Sequence, residues 1–170
     1  MAVHAPPSVR LLVCGNADRG DDGAAPAAVA SLLAALPVSV LECLEVVHCG
    51  QLGVDDLMSV PAGQACLVVD AATGITPGEV VTLPIAAIRA GPDAPTPRSS
   101  HGLAIDQVLG LAGALRPDGL PRGTIVCIGG RSFGYGQSLS PSVWRNMAAF
   151  QAAIVAAMAT LAWDGCPPDG

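Results

Sequence analysis

The chain has 170 residues, of which 51% are hydrophobic, 13% charged and 3% aromatic. This composition excludes a disordered chain and requires a core built from Ala, Val, Leu and Ile. Fourteen acidic against eight basic residues give a net charge of −6, which would repel a phosphate backbone, so we expect no nucleic-acid partner. The length predicts a single domain over residues 1–170, with frayed termini at 1–8 and 164–170.

The cysteines and the apolar stretches indicate in which cellular compartment the protein is expected. There are six cysteines and no Cys-x-x-Cys pair, and Cys14, Cys66 and Cys127 lie in or beside apolar runs, as buried, reduced thiols of a cytoplasmic protein would. Residues 24–41 contain two prolines and residues 147–163 fall short of the ~20 residues that a span needs. We therefore expect a cytoplasmic protein with neither a disulfide framework nor a membrane span.

Apolar runs alternate with helical runs, which predicts an α/β sheet covered on both faces. In chain order the pattern predicts a strand at 9–14, a helix from 21–23 to about residue 36, a strand at 38–47, a short helix within 51–60, a strand at 64–70, a strand at 79–83, a loop at 85–100, a helix at 101–115, a strand at 123–128 and a helix at 141–163. The prediction is a three-layer α/β/α sandwich with a mostly parallel, twisted sheet.

Two local features refine this prediction. The strand at 79–83 follows Pro77-Gly78 too closely for a crossover helix, so we expect it to be an antiparallel edge strand. Pro26 is expected in the first turn of the first helix, because a proline deeper in a helix removes a hydrogen bond and costs about 3 kcal/mol. The loop at 85–100 is expected to be the most mobile part before the C-terminal tail.

Three polar features follow the predicted strands. In open α/β sheets, ligands bind beyond the carboxyl ends of the strands. Residues 15–23 (GNADRGDDG) come directly after the first strand, Asp70 ends the third, and His101 follows the long loop. Two carboxylates and an imidazole that converge there would suit a divalent metal with open coordination positions.

Each feature also has a structural interpretation. Asp21 and Asp22 could cap a helix and interact with its dipole. Asp70 could accept backbone N–H groups in a turn, and His101 could be a first-turn helix residue with nothing to bind. Other chemistries lack their motifs, since the chain has no G-x-G-x-x-G, no phosphate-binding loop and no G-x-S-x-G, and nothing indicates an activated cysteine.

Four segments in order resemble one family. They are residues 11–23 (LLVCGNADRGDDG), residues 66–78 (CLVVDAATGITPG), Ser100-His101 with Leu103, and residues 134–143 (GYGQSLSPSV). Together they resemble the hydrogenase maturation proteases, the endopeptidases that trim the C-terminus of the large subunit of nickel–iron hydrogenases.

The resemblance implies a site and a substrate. The family's metal-contacting residues fall on Asp22, Asp70 and His101, which would act on nickel already installed in the hydrogenase large-subunit precursor. The metal would then be supplied by the substrate, and no resident organic cofactor is implied. Nickel could polarise the scissile carbonyl or activate a bound water, with Asp21 or water alone as the candidates for the general base.

The chain departs from the family's pattern at two places. Residues 48–51 (HCGQ) replace an acidic turn, so His48 is either a new ligand or a substitute for a turn-capping acid, and residues 129–132 (GGRS) are atypical. Two other functions stay open: a non-catalytic nickel-checkpoint protein for the large subunit, and a metal-dependent hydrolase or peptidase of the same fold with another substrate.

Overall fold

A computed structural model describes residues 9–88, 98–99 and 104–163 of the chain. The strands are β1 (Val9–Cys14), β2 (Leu44–Gly50), β3 (Ala65–Thr73), β4 (Val80–Pro84), β5 (Arg98–Ser99) and β6 (Gly123–Gly129). The helices are α1 (Ala24–Ala35), α2 (Val38–Leu41), α3 (Val54–Met58), α4 (Ile105–Leu115) and α5 (Pro141–Trp163), with 3₁₀ turns at Gly20–Gly23 and Ile85–Ala87. The predicted frayed termini lie outside the described residues.

The strands form one mostly parallel sheet in the order β2-β1-β3-β6-β4. β1 is parallel to both β2 and β3, and β3 is parallel to β6. β4 runs antiparallel to β6 at the edge of the sheet, because the turn through Gly78 returns the chain within a few residues. The predicted α/β sheet with an antiparallel edge strand is confirmed, and the two-residue β5 adds a second antiparallel pairing, with β3.

The sheet separates two apolar cores because successive side chains of a strand point to opposite faces. Alternate residues of β1 and β3, such as Leu11 and Leu67, pack with α1 and α5 on one face. Leu12, Val68 and their alternates pack with α3 and α4 on the other face. This division gives the three predicted layers.

The first helix starts as predicted. A 3₁₀ turn over Gly20–Gly23 leads into α1, and Pro26 is the third residue of that helix. No intrahelical hydrogen bond is lost there, since the N–H groups of a first turn have no acceptor within the helix. α1 ends at Ala35, with Leu36 already extended.

The prediction of one strand over residues 38–47 is wrong in its first half. Pro37 precedes a single helical turn, α2, and the strand starts only at Leu44. Val38 is 70% exposed, so these β-branched residues find no facing layer to pack against, and local hydrogen bonds to Pro37 and Val38 decide the conformation instead.

The loop prediction for residues 85–100 needs a correction at both ends. Ile85 starts a 3₁₀ turn and is fully buried in the core beside α4, and Arg98–Ser99 pairs with β3. Residues 89–97 and 100 lie outside the described part of the chain. The expectation that this loop is mobile concerns mainly these residues and stays a prediction.

Two further predictions concern the thiols and the membrane. Cys14, Cys66 and Cys127 are buried and free, as predicted, and none of the five described cysteines forms a disulfide. Among the described helices, none is both long and apolar enough to cross a bilayer.

Candidate functional site

The candidate site lies at the carboxyl edge of β1 and β3. β1 ends at Cys14, whereas β3 continues to Thr73. The last residues of the two strands that pair with each other are Val13 and Val69, so Asp70 is the first residue of β3 beyond that pairing. Asp22 stands in the 3₁₀ turn that follows β1. The parallel register thus brings the segments of both predicted acids to one edge, while His101 lies outside the described residues.

Asp22 is held by the loop that precedes it. Its side chain is almost fully buried, and Oδ2 accepts a hydrogen bond of 3.0 Å from the backbone N–H of Asn16. The Arg19 guanidinium lies 3.7 Å from the same oxygen. Gly15 makes this fold of the loop possible, because its φ of +113° suits glycine and any Cβ there would clash with the Asp22 carbonyl.

Asp70 presents one oxygen without a hydrogen-bond partner among the described residues. Oδ1 accepts a hydrogen bond of 2.8 Å from the Ala71 N–H, whereas the buried Oδ2 accepts none. Burial raises the pKa of Asp70 from an ordinary value of 3.8 to about 7; the bond from Ala71 opposes the rise and the charge of Asp22 adds to it. The two carboxylates are therefore within electrostatic reach of each other.

Thiols surround Asp70 on the α4 face of the sheet. Cys127 is its register partner on β6, and burial followed by the Asp70 charge raises the pKa of this thiol well above 9.0. The pKa of Cys14 is raised too, first by a side-chain hydrogen bond with Cys49, then by burial and by Asp70. Neutral thiols supply no positive charge on this side to offset the effect of burial, so the carboxyl of Asp70, with a pKa of about 7, is only partly ionised at neutral pH.

Asp21 has a structural task, which removes it as a candidate general base. Its carboxylate accepts backbone hydrogen bonds from Arg131 at 2.7 Å, Ser132 at 3.0 Å and Ser140 at 2.6 Å. These bonds tie the turn before α1 to the connection between β6 and α5. A buried carboxylate with three N–H donors is satisfied as an anion, so we do not expect it to take a proton from a reacting water.

The described residues supply two of the three predicted metal-contacting groups. No cluster of three His, Cys, Asp or Glu side chains occurs within residues 9–88 and 104–163. Carboxylate oxygens of Asp22 and Asp70 suit a divalent first-row cation, and the third predicted ligand, His101, falls beyond the described ranges. His48 lies exposed on β2, and its role stays open.

Sequence reasoning missed the aromatic partner of Arg19, the residue that pairs with Asp22. Arg19 pairs with Asp22, and its guanidinium also lies 5.1 Å from the centre of the Tyr135 ring, a cation–π distance. Tyr135 is 116 residues further along the chain, and no local pattern predicts such a contact. The hydrogen bond from the Ser140 N–H to Asp21 is likewise not predicted by any local sequence pattern.

The structure is similar to solved structures of hydrogenase maturation endopeptidases, which shows that this chain has their fold. No protein-family model matches the sequence, and a search of curated proteins gave no match. The hydrogenase maturating endopeptidase HybD from E. coli superposes with a TM-score of 0.67 at 20% identity, over 89% of this chain and 92% of that one.

Two archaeal structures have the same fold. The [NiFe] hydrogenase maturation protease HybD from Thermococcus kodakarensis gives a TM-score of 0.59 at 23% identity, covering 90% of this chain and 98% of its own. HycI from the same organism, also a [NiFe] hydrogenase maturation protease, gives 0.63 at 17% identity, with 90% and 93% covered.

Proposed function

We propose that this chain is an endopeptidase that removes the C-terminal extension of a nickel-loaded nickel–iron hydrogenase large-subunit precursor. The observation that carries the proposal is the pair of buried carboxylates, Asp22 and Asp70, at the carboxyl edge of a sheet with the fold of hydrogenase maturation endopeptidases. A purely structural buried carboxyl has its oxygens hydrogen-bonded, whereas Oδ2 of Asp70 has no hydrogen-bond partner among the described residues.

In this proposal the metal arrives with the substrate. Asp22, Asp70 and His101 would contact the nickel of the precursor, and the protease would hold no resident organic cofactor. As a Lewis acid, nickel would polarise the scissile carbonyl or lower the pKa of a bound water. The dependence on substrate-bound nickel would restrict cleavage to precursors in which metal insertion is complete.

The chain's own residues have two tasks before cleavage. Asp70 must give up the proton that its burial favours near neutral pH, because a carboxylate ligates a metal only when deprotonated. Asp22 must share or exchange its ion pair with Arg19 for the incoming cation. Both steps replace an interaction inside the protease by one with the substrate, in the cytoplasm where we expect the protein to act.

The experiment is incubation of the purified protein with a nickel-loaded precursor, followed by mass spectrometry of the precursor. We expect the wild-type protein to shorten it at its C-terminus and to leave a nickel-free precursor intact. Asp22→Asn, Asp70→Asn and His101→Ala should abolish the shortening. Asp55→Asn, at an exposed acid on α3, is the matched control and should process normally.

Three results would contradict the proposal. Binding of the precursor without shortening by any preparation would indicate a checkpoint protein. Cleavage of another protein but not of the precursor would indicate a peptidase with a different substrate. A normal rate for Asp70→Asn would exclude the carboxylate pair from the reaction.

A further inference from the structure

Arg19 lies between an acid of the candidate site and an aromatic ring. Its Nη1 is 3.7 Å from Oδ2 of Asp22, and its guanidinium carbon is 5.1 Å from the centre of the Tyr135 ring. The side chain of Arg19 is 17% exposed and that of Asp22 is 2% exposed. A guanidinium with little access to water thus has a buried carboxylate and a ring face as neighbours, and both attract a positive charge.

The backbone that carries Arg19 is held by hydrogen bonds between two loops. The Gly20 N–H donates to the Gln137 carbonyl at 3.1 Å, and the Gly136 N–H donates to the Asp18 carbonyl at 2.8 Å. The residues on both sides of Arg19 are therefore bonded to the segment that follows the aromatic ring. Because the main chain is already ordered on both sides, little further conformational entropy is lost when the guanidinium is kept in this position.

The other ion pairs among the described residues involve none of the predicted metal-contacting acids. Arg10 pairs with Glu45 at 2.8 Å near the amino ends of β1 and β2, and Arg116 pairs with Asp118 directly after α4. Of the arginines in the described ion pairs, only Arg19 neutralises an acid of the candidate site. Its contact therefore concerns the chemistry of the site as well as the stability of the loop.

A metal ion would compete with the Arg19 guanidinium for the charge of Asp22. Carboxylate oxygens bind a divalent first-row cation at about 2.0–2.2 Å. A cation on Oδ2 would therefore be no more than about 6 Å from Nη1 of Arg19, because Nη1 is 3.7 Å from the same oxygen. Two positive charges at that distance repel each other where little water screens them, so Arg19 in this position weakens the binding of a free divalent cation.

We propose that Arg19 makes the site selective for a metal that a protein presents: it excludes free divalent cations from Asp22, and the Tyr135 ring holds its guanidinium in place. Nickel in a bound precursor overcomes the same repulsion, because binding of the polypeptide brings the metal to the site at a high effective concentration. This inference rests on the proposed function for the identity of the metal-bearing substrate. Arg19 and Tyr135 are positioning and specificity residues here, without a part in bond cleavage.

The exclusion is tested with Ni²⁺ alone, without any precursor. Isothermal titration calorimetry gives the Kd of the purified protein for Ni²⁺. Arg19→Gln removes the positive charge and should lower this Kd by about tenfold or more, since residues that contact metal ligands commonly change the affinity by about 10–100-fold. Arg19→Lys keeps the charge and should bind Ni²⁺ as weakly as the wild type does. Combining Arg19→Gln with Asp22→Asn should abolish the gain, because the carboxylate that Arg19 neutralises is then absent.

A matched control is available at the other end of the sheet. Arg10→Gln removes the same charge by breaking an arginine–carboxylate pair, with Glu45, outside the site. It should leave the Kd for Ni²⁺ unchanged, which excludes an effect of the net charge alone. Tyr135→Ala should lower this Kd in the same direction as Arg19→Gln but by less, whereas Tyr135→Phe keeps the ring face and should not. Melting temperatures without metal establish that each variant is folded.

A second measurement uses the nickel-loaded precursor together with free metal. Zn²⁺ at a concentration that the wild-type protein tolerates should inhibit the shortening of the precursor by Arg19→Gln, because a free cation then competes with the nickel of the precursor for Asp22. Arg10→Gln should be as resistant to Zn²⁺ as the wild type.

The outcomes distinguish this inference from the proposed function. If Arg19→Gln gains affinity for Ni²⁺ through Asp22 while no preparation shortens the precursor, the exclusion stands and the peptidase proposal fails. If Arg19→Gln and the wild type bind Ni²⁺ equally, or neither binds it, the exclusion is overturned even when shortening is normal. A lower melting temperature of Arg19→Gln without a gain in affinity would mean that Arg19 only neutralises a buried acid, and this result also overturns the inference. An unchanged Kd for Tyr135→Ala would overturn the part assigned to the ring.

Discussion

Asp21 and Asp22 are neighbours in the chain and have different surroundings. Asp21 accepts hydrogen bonds from three backbone N–H groups of residues more than a hundred positions away, whereas Asp22 accepts a hydrogen bond from the nearby Asn16 N–H and forms an ion pair with Arg19. The first acid closes the loop over the start of α5, and the second faces the edge where β1 and β3 end. Their adjacency explains why sequence patterns treat them as one motif.

Removing the carboxylate of Asp21 should destabilise the fold. Asp21→Ala removes the acceptor of three backbone N–H donors, of which that of Ser140 is buried, and we expect the free energy of unfolding to fall by about 3 kcal/mol. Urea denaturation at pH 7.5 measures this loss. Asp18→Ala, at an exposed acid three residues earlier, is the control and should change stability by less than about 0.5 kcal/mol. An unchanged midpoint for Asp21→Ala would contradict the structural role.

Asp70 should make the protein less stable as the pH rises. Its pKa is about 7 in the folded protein against 3.8 ordinarily, so the folded state holds the proton more tightly than the unfolded state. The resulting stability is lost between about pH 4 and pH 7, and the loss amounts to about 4 kcal/mol above that range. Asp70→Asn carries no such proton and avoids the loss.

The comparison of unfolding free energies against pH tests this directly. The stability of Asp70→Asn relative to wild type should grow from pH 4 to pH 7 and stay constant above, while processing is lost. Asp55→Asn should show no such growth. A constant difference between Asp70→Asn and wild type across this range would mean that Asp70 titrates normally.

At the scale of elements, α5 supplies large buried side chains to the apolar core on one face of the sheet. Phe150 and Ile154 are fully buried from it against β1, β3 and α1. Phe150→Ala removes a large side chain from a closed core and should lower the free energy of unfolding by about 3–5 kcal/mol. Val155→Ala on the same helix truncates a side chain that is 39% exposed and should cost far less. Chemical denaturation of both variants checks the difference, and equal losses would contradict this packing.

Helices and strands whose conformation is determined by one local signal were predictable from the sequence. Those in which local propensity and tertiary packing favour different conformations were not. β1 and α5 have the predicted bounds, because a bounded apolar run and a proline at a helix start each determine a conformation locally. Residues 38–47 carry the β-branched composition of a strand, yet the first four form α2. Only the position of the neighbouring layer decides whether such residues are buried, and the sequence does not contain that position explicitly.

At the scale of the whole molecule, no disulfide bond joins any of the described cysteines. The pKa values of Cys14, Cys66 and Cys127 are raised, that of Cys66 by burial to about 12. Brief alkylation of the native protein at pH 8 should therefore modify Cys43 and Cys49 and leave these three thiols unmodified until the protein is unfolded. Peptide mass spectrometry reads this out. A melting temperature that falls on adding reductant would contradict a reduced fold.

The sequence by itself determined the α/β class, the antiparallel edge strand and the candidate acids, because apolar periodicity, Pro-Gly turns and strand-terminal acids act over a few residues. The tertiary structure alone decided that Asp21 is structural, that Arg19 and Tyr135 meet over Asp22, and that Oδ2 of Asp70 is buried without a described partner. Each of these depends on contacts between segments that are distant in the chain. Such contacts form only when the sheet sets the distance between β1, β3 and β6, so local physical chemistry could not have specified them.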